Sequence, residues 1–128
     1  MLGYKLWDRI SDLKVHRYEQ PVAAVEYIAK HQLTGRIVCA MNWAQYVLFA
    51  CGSHDAHQPG ILVQIDGRLR TAYSQAMLDS HFDFILGDQS ADQRYRGPAS
   101  KFNPTRVLHE KHPHLVLIDR GQPHAVQV

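Results

Sequence analysis

The chain has 128 residues, 45% hydrophobic and 20% charged, a length and balance that fit one globular domain with a core of its own. Net charge is +2 with histidines neutral, and Lys and Arg are scattered from Lys5 to Arg120, which argues against the basic stripe of a nucleic-acid binder. The longest apolar stretch, residues 43–51, is broken by Gln45 and falls far short of the roughly 18 residues a spanning helix needs. Residues 1–10 lack the basic-then-apolar order of a secretory signal.

In chain order, residues 1–20 mix charge with Trp7, Ile10, Leu13 and Val15 and read as an N-terminal arm or linker, leaving 21–128 as an α/β domain. Pro21 suits a first helical turn, and Val22, Val25, Ile28, Ala29 and Leu33 recur at three- and four-residue steps before Gly35, predicting a helix. Residues 36–40 follow that glycine as a short β-branched apolar run, the pattern of a buried strand. Asn42 is expected to cap a second helix in which Trp43, Tyr46, Val47 and Ala50 share a face and Gly52 ends the run.

Residues 53–60 read as an exposed loop and 61–65 as the next strand. Residues 73–86 return to helical spacing, although 82–86 alone also fit an alternating strand. The polar stretch 87–103 predicts a long surface loop, and 104–111 a short helix. Residues 115–119 and 125–128 are expected to be two strands joined by 120–123 in a hairpin. The resulting expectation is an α/β domain with a mixed sheet of about four to five strands, covering helices and a C-terminal β-hairpin.

Cys39 and Cys51, twelve positions apart, are too distant for a C-x-x-C site. They read as two buried thiols, with a disulfide from strand end to helix end as the alternative.

The segments Pro21 to Ile28, Gly35-Arg36-Ile37-Val38, Asn42-Trp43-Ala44-Gln45-Tyr46-Val47-Leu48, Ile65-Asp66-Gly67-Arg68 with Tyr73, and Leu117-Ile118-Asp119 stand in an order that resembles a known family. It is that of the soluble C-terminal domains of bacterial multispanning membrane proteins related to the dolichyl-phosphate-mannose protein mannosyltransferases. Ile-Asp-Gly-Arg is the most specific element, and the likeness runs from Pro21 through most of the chain. The resemblance implies a membrane half that handles a lipid-linked sugar donor. It also implies a soluble domain on the extracytoplasmic face, periplasmic or at the cell surface, with no settled activity, and Met1 would then be an engineered start. Two departures stand out. Ala44 and Gln45 occupy positions where the family usually has glycine, and the paired tryptophans and acid of the more distantly similar oligosaccharyltransferase acceptor segment are missing from 42–46, so acceptor-peptide binding is not carried across.

Asp66 and Arg68, two apart at a strand end, would orient a polar ligand through a carboxylate and a guanidinium fork. The plainer reading has Asp66 capping its turn while Arg68 pairs with a surface acid. Trp43 and Tyr46, one turn apart, would stack on a saccharide or peptide, or else fill the core. Asp119 would join Asp66 as a carboxylate pair if their strands were neighbours. With Asn42 and Tyr73 these make the expected binding set, with no catalytic residue, cofactor or metal. His109, His112 and His114, like His54 and His57 with Asp55, invite a metal reading. His109-Glu110-Lys111-His112 is one residue short of the helical i,i+4 spacing, and Pro113 breaks the helix. No G-x-S-x-G element and no glycine-rich phosphate loop occurs, and no sequence neighbour activates Cys51.

The expected function is a non-catalytic binding or docking domain of a larger glycosyltransferase-like membrane protein. Its partners would be the transmembrane portion of that protein, a saccharide or peptide ligand, and a second copy through an edge strand. The alternative is a small free-standing metal-dependent hydrolase using the histidine clusters and Asp66.

Overall fold

A computed structural model describes residues 19–53, 57–88, 96–98 and 100–128. All but the last two residues of the expected arm, together with His54 and Asp55, lie outside the described residues.

Helix α1, Val22–Lys30, buries Val22, Val25 and Ile28 on one stripe, each such side chain contributing about 1.5–3 kcal/mol by leaving water. It ends at His31, and Leu33 N–H turns back to the Ile28 carbonyl at 3.0 Å. Strand β1, Gly35–Cys39, follows, with Ile37, Val38 and Cys39 buried on both faces. One residue later α2, Met41–Cys51, begins. Ala40, not Asn42, holds the cap position, because Trp43 N–H already bonds the Ala40 carbonyl at 2.9 Å. Asn42 is therefore exposed within the first turn. Gly52 closes α2 with its N–H on the Leu48 carbonyl, and a Cβ there would stand 2.4 Å from that oxygen.

Strand β2, Ile61–Val63, precedes a 3₁₀ turn, Leu69–Thr71. Helix α3, Gln75–Leu86, opens on Ser74, whose hydroxyl accepts the Met77 N–H. It continues without a break through 82–86, so helical spacing prevails over alternation there. Helix α4, Arg106–Lys111, leads to β3, Leu115–Leu117, and α5, Pro123–Gln127, ends the chain's secondary structure.

The three strands form one parallel sheet in the order β2-β1-β3. Register places Gly35 beside Ile61 and Ile37 beside both Val63 and Leu115. This corrects the expected mixed sheet of four to five strands. The terminal hairpin is corrected as well, since residues 123–127 are helical. Pro123 at the start of α5 presets its first turn, and the turn at 119–122, where Gln122 N–H reaches the Asp119 carbonyl, carries the chain off the sheet onto α3. Ala125 then buries against Phe84 and Ile85, whereas Val126 and Val128 stay exposed.

Alternation along the strands divides the core. Ile37, Cys39 and Ile61 face α1 and α2 and pack with Val25, Ile28, Ala44 and Val47. Val38 faces the other way, toward Phe84, Ile85, Val107 and Ala125 on α3, α4 and α5. Helices on both faces of a parallel sheet make this an α/β layered domain. Among the described residues no helix is long and apolar enough to cross a membrane.

Candidate functional site

Parallel strands all deliver their C-terminal ends to one edge of the sheet, where α/β folds gather binding groups. Here that edge receives the start of α2 after β1, the segment 64–68 after β2 and Asp119 after β3.

Asp66 is 2% exposed, and its Oδ1 accepts the Arg68 N–H at 3.0 Å, a tight turn of the sort a carboxylate makes with the residue two on. The Arg68 side chain folds back on the same carboxylate: Nε lies 3.0 Å from both oxygens and Nη2 2.9 Å from Oδ2. Nη2 also donates to the Tyr73 hydroxyl at 3.3 Å, with the guanidinium carbon 5.8 Å from the Tyr73 ring centroid. Asp66, Arg68 and Tyr73 are thus one constellation. The Arg68 side-chain bonds, more than any other influence, hold the Asp66 carboxyl below the usual carboxylate range, and the Arg68 pKa is raised in return. Asp66 caps its turn as the plainer reading has it, but the acid that pairs with Arg68 is Asp66 itself. The Arg68 side chain remains 64% exposed, a cation fixed in place yet open to a partner.

The other expected residues are placed differently. Trp43 is half-buried, and its indole N–H donates to the Glu19 carbonyl at 3.0 Å. Tyr46 packs on the cluster around Ile37 and Val47. Asp119 is exposed and accepts the Gly121 N–H at 2.8 Å. Because β1 lies between β2 and β3, the strands that carry Asp66 and Asp119 are two strand spacings apart, about 10 Å, and are not neighbours. The carboxylate pair needed neighbouring strands. Gln45, where the resembled family has glycine, brings its Nε2 to 4.0 Å from the position a Cβ would take on Gly67, so α2 overlooks the 66–68 loop with an amide.

The described histidines do not converge. His109, His112 and His114 are exposed, and His114 Nδ1 accepts the Arg36 N–H at 3.2 Å. No group of three or more potential metal ligands comes together among the described residues. Cys39 and Cys51 are free thiols, so the disulfide alternative does not hold. Burial pushes the Cys39 thiol up to about 12 and raises that of Cys51, whose sulfur lies 3.7 Å from the Val25 carbonyl oxygen. A raised thiol is the opposite of an activated nucleophile.

Sequence reasoning missed the polar side of α3. Asp79, Ser80, His81 and Asp83 are all buried. Asp79 accepts from Gln75 Nε2 at 2.7 Å and from Gly97 N–H at 3.0 Å. Asp83 accepts from Arg96 Nη2 at 2.9 Å and from Asn103 N–H at 2.9 Å. The described part of the expected surface loop is therefore bound to α3 by two carboxylates one turn apart. That i,i+4 acid pair, followed downstream by Arg96-Gly97, was the available signal. Among the described residues Ser80 Oγ and both His81 ring nitrogens have no hydrogen-bond partner, and burial pushes the His81 pKa down to about 4.

A scan against protein-family models found no match, and searches of the curated proteins and of the solved structures found none either.

Proposed function

We propose that this chain is a non-catalytic binding or docking domain of a larger glycosyltransferase-like membrane protein, working on the extracytoplasmic face beside the transmembrane portion of its own parent. The observation that carries the reading is the Asp66-Arg68-Tyr73 constellation. A buried carboxylate and a phenol lock a guanidinium that stays largely open at the C-terminal edge of the sheet. Such a group is preorganised to recognise a carboxylate, phosphate or polar saccharide without paying for its own ordering. Beside it stands Gln45 from α2, a polar margin suited to a saccharide or peptide. Burial raises both thiols, which does not suit either one as a nucleophile.

The test has two parts. The native gene should read upstream of Met1 through several apolar stretches of about 20 residues each. Protease added to intact cells, with the outer layer opened where there is one, should then remove this domain from the membrane-held parent. An isolated domain that turns over a substrate and loses that activity on Asp66→Asn would overturn the reading, as would stoichiometric zinc or manganese in protein purified without a tag.

A further inference from the structure

A groove of about 470 Å³ opens between the 3₁₀ turn and α3, immediately beside the locked Arg68. Its apolar wall is Leu69, Leu78 and Phe82, and its polar margin is Arg68, Arg70 and Thr71. The volume lies within the range of small-molecule sites, which are mostly apolar with a few placed polar groups.

Charge says what such a groove would hold. Arg70 is exposed and makes no hydrogen bond or ion pair among the described residues. Arg68 spends Nε and Nη2 on Asp66 and Tyr73, leaving Nη1 unengaged. Among the described residues no acid lines the groove, so its margin is cationic while its wall is apolar. The backbone adds a second observation. Leu69 has φ of +44°, a left-handed conformation that a branched side chain adopts only against a steric penalty, and in it Leu69 contributes to the groove wall.

We infer that the groove binds an amphiphilic anion, an oxyanion such as a carboxylate or phosphate monoester carried on an apolar stem. The oxyanion meets Arg70 and the open edge of Arg68, and the stem lies against Leu69, Leu78 and Phe82. This deepens the binding reading above by naming the ligand chemistry, and it rests on that reading only for the role of the 66–68 loop.

Calorimetric titration of the domain with octyl phosphate below its micelle concentration tests it, with 1-octanol and inorganic phosphate as the two halves of the probe. Octyl phosphate should saturate one site, and each half alone should bind at least roughly tenfold more weakly, since both the charged contact and the apolar burial are then incomplete. Arg70→Gln should weaken octyl phosphate roughly tenfold, the worth of one charge-assisted contact. Leu69→Gly removes the side chain from the wall while suiting the left-handed backbone, so it should weaken binding with the thermal transition preserved.

Equal binding of octyl phosphate and 1-octanol would overturn the inference, as would undiminished binding to both variants or no saturable binding. Sedimentation with phosphatidylglycerol but not phosphatidylcholine vesicles would assign the anion to a bilayer headgroup, and binding of the soluble probe alone would assign it to a free amphiphile; either upholds the site. A failed titration leaves gene length and membrane topology untouched, so the two readings fall separately.

Discussion

His81 occupies the least favourable position of any polar side chain described in this domain. It is 0% exposed, its two nitrogens find no partner among the described residues, and Phe82 lies at 5.4 Å in edge-on ring contact. Desolvation without compensating bonds favours the neutral imidazole, hence the folded-state pKa of about 4. In the unfolded chain the same ring takes its proton near 6.5. Between those values the unfolded state binds more protons, so stability falls as pH falls from about 6.5 to 4, by up to about 3 kcal/mol from this group. His81→Leu, of similar volume and without polar atoms, should be at least as stable at pH 7 and should flatten the dependence across that window. Urea unfolding of both proteins at pH 7 and pH 4.5 measures this. Equal losses in the two proteins would show that His81 is not the group responsible.

At the scale of an element, α3 serves as a tether as well as a cover for the sheet. Asp83 is fully buried and Arg96 is 10% exposed, so removing the acid takes away the buried partner of the guanidinium, leaves it the exposed Asp88 at 3.3 Å, and frees the Asn103 N–H. Asp83→Ala should cost about 3–5 kcal/mol, and the double change with Arg96→Ala should cost clearly less than the two single losses added. Chemical denaturation of the three variants gives both quantities.

The same helix shows what the sequence could and could not convey. Helices α1 and α2 were legible because their apolar residues recur on one stripe and a glycine follows each, Gly35 soon after and Gly52 at once. Strands β1 and β2 were legible because β-branched residues run between turn residues. The polar burial of 79–83 was not, since Asp, Ser and His carry a solvent-facing signal, and only the return of Gly97, Arg96 and Asn103 onto Asp79 and Asp83 reveals it. Residues 125–128 alternate as a strand does, but Pro123 and the turn at Asp119 govern them instead. Of the candidate site, Asp66 and Arg68 were legible as a spacing, and Tyr73 only as part of the resembled segment. Their mutual bonding was not legible, nor was the groove beside them, whose wall includes Leu69 in a left-handed conformation that no residue type announces.

For the whole molecule, β1 is the common wall of both core clusters: Ile37 and Cys39 belong to one and Val38 to the other. Neither half retains a backing if this strand leaves. Unfolding should therefore be a single cooperative transition, with near- and far-ultraviolet circular dichroism coincident along the denaturant axis. Separate midpoints for the two signals would show that the helical layers melt independently.

The pairing of β1 with β3 has a further consequence for biosynthesis. Arg36 and His114, which meet at the lower end of that ladder, are 78 positions apart. The central strand is therefore synthesised long before its second neighbour and waits for it. Any nascent chain arrested before residue 115 would carry a bare edge on Ile37, Val38 and Cys39, a natural target for chaperones while translation continues.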